Sequence, residues 1–126
     1  MTNPSFLRRV LFADAAISAT CGLLLDFGAE PLGALFGMPP ALLRWAGISL
    51  LPVAAFIAWL ATRARPTVAL VWLVIAGNVI WAIDSLALLF TPWVAPTLLG
   101  TAFVVAQAAI VVVLAGLERQ GLRALA

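Results

Sequence analysis

The chain has 126 residues, 65% of them hydrophobic and 10% charged, with a formal net charge of +2. Soluble domains are about 45–50% apolar and about 25% charged, and a fold of this size leaves roughly a third of its surface wet. A water-soluble globule is therefore excluded, and one domain, residues 1–126, is expected in lipid. All seven basic residues are Arg, there is no His and there is one cysteine. The arginines form no stripe, which argues against nucleic-acid binding. The single thiol, Cys21, excludes an intrachain disulfide. No metal site and no cofactor are expected from such a composition. Ala-rich, Lys-free usage suggests a bacterial source.

Four apolar runs follow one another, at 6–25, 42–62, 67–90 and 97–117. Each is near the ~20 residues that cross about 30 Å of hydrocarbon. Backbone groups in lipid must be satisfied within the segment, so the runs are read as helices. The fold class is an all-α membrane protein, four transmembrane helices in an up-down-up-down bundle with short connections.

The first run, FLRRVLFADAAISATCGLLL, follows the pattern of a signal sequence, but Asp14 interrupts it and it leads straight into the four-run pattern, so a retained helix is expected. The first loop holds Glu30-Pro31, then PLGALFG, then Pro39-Pro40. Pro suits a first helical position and Gly a helix end, so a short apolar helix lying in the outer interface is expected there. Pro52 interrupts the second run and predicts a kink. Ser18-xxx-Gly22 and Ala102-xxx-Ala106 fit the small-xxx-small pattern of close helix approach.

Charge gives the orientation. Arg8 and Arg9, Arg63 and Arg65, and Arg119 and Arg123 fall on one side of a four-crossing chain, and by the positive-inside rule that side, with both termini, is cytoplasmic. The inner membrane of a bacterial cell is the expected location. Trp45 and Trp93 fall near the outer boundary, Trp59 and Trp72 near the inner one, and Trp81 deeper, as an aromatic belt with one exception.

Only two acids, Asp14 and Asp84, lie inside the four runs. Asp14 is about 12 Å into the first helix, where an ionised carboxylate costs about 2.5–3.5 kcal/mol on insertion scales. It must find partners or stay protonated. Ser18 shares its face. Asn78 and Gln107, about 17 Å and about 15 Å along their own helices, come near the same depth. Asp14, Ser18, Asn78 and Gln107 are thus a candidate polar cluster at mid-membrane. It is either a hydrogen-bonded packing device or a proton- or cation-binding site. Asp84 lies about 9 Å from the outer end of the third helix, near the level of Arg44, so an outer Arg44–Asp84 ion pair is expected, with Asp26 and Glu30 competing for the same Arg. No catalytic residues are assigned: nucleophile and base are nowhere clustered, and an enzyme is not expected.

In size and layout the chain resembles small bacterial four-helix membrane proteins, including the DoxX-like group. The segment LFADAAISATCG also resembles the first helix of small multidrug-resistance transporters, with Asp where that family carries Glu. That resemblance implies a proton-coupled transporter with Asp14 as the coupling carboxylate. The residues by themselves favour a non-enzymatic accessory or structural membrane protein. Its partners would be the lipid bilayer and other subunits, as a homo-oligomer or in a larger membrane complex.

Overall fold

A computed structural model describes residues 4–123; the first and last three residues lie outside the described residues. The described chain is all helical: α1 (Ser5–Phe27), α2 (Ala29–Phe36), α3 (Pro40–Ala61), α4 (Val68–Leu88) and α5 (Leu98–Arg123). Four of these, α1, α3, α4 and α5, are long and apolar enough to cross a membrane. Large apolar side chains cover their outward faces, among them Leu73, Ile83 and Val113, each about 60% exposed. A soluble monomer does not present such a surface. The chain is a multi-pass membrane protein.

The helix ends follow from local chemistry. α2 stops at Gly37, whose φ of 72° is the left-handed conformation that glycine adopts without cost. Pro40 then occupies the first turn of α3, where its missing N–H is not needed. At the other end of α3, Arg8 reaches across from α1 and donates from Nε to the Ala61 carbonyl at 2.9 Å. A cation there satisfies a carbonyl the helix leaves free and complements its dipole.

The bundle is built from two helix pairs. α3 packs along α1, and α4 along α5, whereas the consecutive helices α3 and α4 hardly touch. α1 and α3 are antiparallel: Arg8 meets Ala61 at one end, and at the other a Cβ on Gly22 would stand 3.0 Å from the Gly47 carbonyl oxygen. The expected close approach at Gly22 is therefore made, onto α3. Ala102 and Ala106 are both exposed, so the second small-residue pair faces outward instead; the inward stripe of α5 runs through Gly100, Val104 and Ala108. The pairs meet where α5 crosses the start of α1, with Gly121 against Leu7. One apolar cluster, including Leu7, Leu11, Ile57, Leu60 and Val71, fills that end. A second, including Leu25, Phe36, Leu43 and Val104, fills the other.

α2 lies across this second end. Its final carbonyls accept from the loop between α4 and α5: Phe36 from the Thr97 N–H and Gly37 from the Ala95 N–H, each at 3.0 Å. Leu35 accepts from the Thr97 hydroxyl at 2.8 Å. Phe36 stacks on Phe103 of α5 with ring centroids 4.8 Å apart. These bonds use carbonyls that a helix end would otherwise leave unsatisfied.

Candidate functional site

Two polar features lie between the helix pairs: a closed carboxyl network and an open cavity.

The network joins α1, α4 and α5. Asp14 and Glu118 are both fully buried, and Ser18 and Asn78 nearly so. Asn78 Nδ2 donates to Asp14 Oδ2 at 2.8 Å and to Glu118 Oε1 at 3.0 Å. The Ser18 hydroxyl donates to Asp14 Oδ1 at 3.4 Å. A single side-chain amide thus serves two carboxyls on two other helices. Both of its hydrogens are used, which leaves its carbonyl oxygen as an acceptor. Glu118 Oε2 is buried with no hydrogen-bond partner among the described residues.

Three of the four side chains expected at mid-membrane are brought together: Asp14, Ser18 and Asn78. Gln107 is not part of their network. Its Oε1 accepts from Trp81 Nε1 at 2.8 Å, and its Nε2 donates to the Val104 carbonyl at 3.0 Å. The antiparallel run of α4 against α5 explains this. Asn78 on α4 meets Glu118 on α5, and Trp81, three residues on, meets Gln107, eleven residues back. Trp81, read as an exception to the belt, is partly buried because its N–H has this acceptor.

Glu118 is the residue that the sequence reading missed. Ending the fourth run at Leu117 placed Glu118 outside the span and left Asp14 and Asp84 as the only intramembrane acids. α5 instead continues to Arg123, just as α1 continues past Leu25 to Phe27, so Glu118 and Asp26 join Asp14 and Asp84 as acids within membrane-length helices. The signal was present: Gly100, Val104, Ala108, Ala115, Glu118 and Leu122 are all buried, at the three- and four-residue steps of one helix face.

The Arg44–Asp84 pair is not formed. Arg44 Nη2 meets Glu30 Oε1 at 3.3 Å, and Asp84 is exposed on α4. Arg44 starts α3, which packs beside α1 and α2 rather than α4, so the nearer competitor Glu30 takes it. Asp26, the other competitor, lies against Gly47, and its Oδ1 is buried without a hydrogen-bond partner.

The cavity has a volume of about 850 Å³ and takes walls from all four long helices. Val53 and Phe56 of α3 face Leu73 and Gly77 of α4 across it. Because α3 and α4 hardly touch, it opens along that seam. Its polar floor is Ser18, Asn78, Trp81 and Gln107. Asp14 and Glu118 do not line it; they lie behind Ser18 and Asn78. A second cavity of about 450 Å³ lies toward α2 and includes Asp84 in its wall. The two share Cys21, Trp81, Phe103 and Gln107 as a partition. Pro52 lines the larger cavity; within α3 it removes a donor and frees the Ile48 carbonyl from its helical bond.

No protein-family model, curated protein or solved structure matches this chain. Fold and site together define a class, a small polytopic membrane protein with a buried carboxyl network beside a lipid-facing cavity.

Proposed function

We propose that the chain is a non-enzymatic accessory or structural membrane protein whose polar junction fixes the arrangement of its helices. One observation carries this reading: the Asn78 amide bridges Asp14 of α1 and Glu118 of α5. Apolar contacts between helices gain little in lipid, because lipid tails are as apolar as Leu, so directional bonds set which helices pair. In this reading the arginine-bearing ends and both termini face the cytoplasm, α2 lies at the outer interface, and the exposed helix faces meet lipid or other membrane subunits. Asn78→Leu tests it. The distance between spin labels at Phe12 and Val113, exposed positions of α1 and α5, placed in a Cys21→Ala background, reports whether the two helices remain adjacent; an unchanged distance in Asn78→Leu would count against a junction that sets helix pairing.

One feature favours a second reading, a proton-coupled transporter. Two carboxyls share one amide, and among the described residues Glu118 retains an oxygen without a hydrogen-bond partner. Paired carboxyls inside a membrane-spanning bundle are the kind of site at which transporters carry protons. In liposomes carrying a pH-sensitive dye, transport predicts a proton flux that Asp14→Asn abolishes with the fold retained. Unchanged flux rules this reading out.

A further inference from the structure

The larger cavity has walls and floor of different chemistry. Its walls are mostly apolar, Ile17, Val53, Phe56, Leu73 and Ile110 among them, with Thr20, Cys21 and Ser49 the other polar residues of the lining. No charged residue lines it. A charged head group in such a place would lose its hydration with no counter-charge to meet. The floor is polar but neutral, and its hydrogen-bonding capacity is largely spent within the protein. The Ser18 hydroxyl donates to Asp14. Trp81 Nε1 donates to Gln107. Asn78 uses both amide hydrogens on the two carboxyls. Gln107 uses one on Val104. By the donor and acceptor count of each group, the one N–H left on the floor is the second of Gln107, and Asn78 Oδ1 is unused as an acceptor while Ser18 Oγ and Gln107 Oε1 keep lone pairs. A spare donor on Gln107 and an unused acceptor on Asn78 in the lining of the same cavity are the complement of a hydroxyl, which accepts one hydrogen bond and donates another.

We infer that this cavity is a binding site for an uncharged lipid bearing one hydroxyl head group. The lipid comes from the bilayer through the seam between α3 and α4. Its chain lies along Val53, Phe56 and Leu73, and its hydroxyl lies between Asn78 and Gln107. The volume is in the range of sites that enclose small organic ligands. The inference is independent of whether the carboxyl network acts in packing or in proton transfer.

Gly77 gives a way to fill the cavity without disturbing the fold. It lines the cavity, and a Cβ built there meets nothing within 4 Å. Gly116 is equally open by the same measure and lies outside the cavity lining, which makes it the control. The probe is a long-chain alcohol carrying a photoreactive diazirine in its chain, added to the full-length protein in phosphatidylcholine nanodiscs. After irradiation, peptide mass mapping locates the label. The expected result is labelling on α3 and α4 at the cavity wall that saturates and is competed away by unlabelled alcohol. Gly77→Trp lowers it by about tenfold, since the indole takes the place of several chain methylenes, and Gly116→Trp leaves it unchanged. The carboxylate of the same chain length competes about a hundredfold less well, because the site offers its charge no partner. Labelling that does not saturate, or that survives in Gly77→Trp, overturns the site. Equal competition by the carboxylate overturns the assignment of a neutral head group. Gln107→Leu distinguishes head-group recognition from chain burial: the alcohol loses its advantage over an alkane of equal length, and an undiminished advantage refutes the proposed hydroxyl position.

Discussion

Two glycines on facing halves of the bundle show how differently its two interfaces are built. Gly121 lets α5 come so near to α1 that a Cβ there would stand 2.9 Å from the Cβ of Leu7. Gly77, on α4, faces open space. Around Gly121 the helices are closely packed, and beside that contact lies the Asp14–Asn78–Glu118 network. Around Gly77 the helix pairs diverge and the cavity opens. Small residues permit close approach, but they do not compel it. In lipid, contact is made where polar groups need partners, and where most of the inward bonds are made within one helix pair the apolar walls are left to a lipid.

Substitutions on the closed side should therefore cost stability, and the largest effect is expected at Asn78. Asn78→Leu takes the amide donor from both buried carboxyls, leaving Asp14 with Ser18 alone, and should destabilise the fold by about 3 kcal/mol, read as a lower melting temperature in detergent by circular dichroism. An unchanged melt would mean that the network contributes nothing and that the two interfaces are energetically alike. Gly121→Leu comes next. Its side chain meets Leu7 backbone and Cβ atoms that cannot move independently, so overpacking of about 2 kcal/mol is expected in the same assay. Glu118→Gln should cost less than about 1 kcal/mol, because an amide oxygen still accepts from Asn78 and its new N–H can serve Asp14. A larger loss would show that a carboxyl, rather than an acceptor, is required. Arg44→Ala removes an ion pair whose side chains are 48% and 71% exposed. It should shift stability by less than about 0.5 kcal/mol, with the shift vanishing in high salt.

The four long helices were legible in the sequence because length and hydropathy are sufficient to define them in lipid. Asp14, Ser18 and Asn78 were legible as a group because their depths coincide. Gln107 shares that depth but bonds to Trp81 instead. Depth along a helix does not say which neighbour a side chain turns toward; the antiparallel offset of α4 on α5 decides that. Arg44 was assigned the wrong acid for a related reason. Sequence proximity suggested that α3 packs on α4, whereas α3 packs on α1 and brings Arg44 to Glu30. Glu118 was hidden by hydropathy itself. A window average ends a span where charges begin, at Glu118 and Arg119, while the inward face of α5 continues for a further turn. Following that face, rather than the average, recovers it.

The fastening of α2 has a mechanical consequence. At one end of the seam, α3 and α4 are joined covalently by the turn around Arg63–Pro66. At the other, the two helix pairs are held together across α2 by the bonds from Ala95 and Thr97 to the carbonyls of Leu35, Phe36 and Gly37. One end is thus a hinge and the other a latch. Any widening of the seam at the α2 end must therefore release those hydrogen bonds and the Phe36–Phe103 stack, while the turn keeps the other end closed by covalent chain, like a clasp.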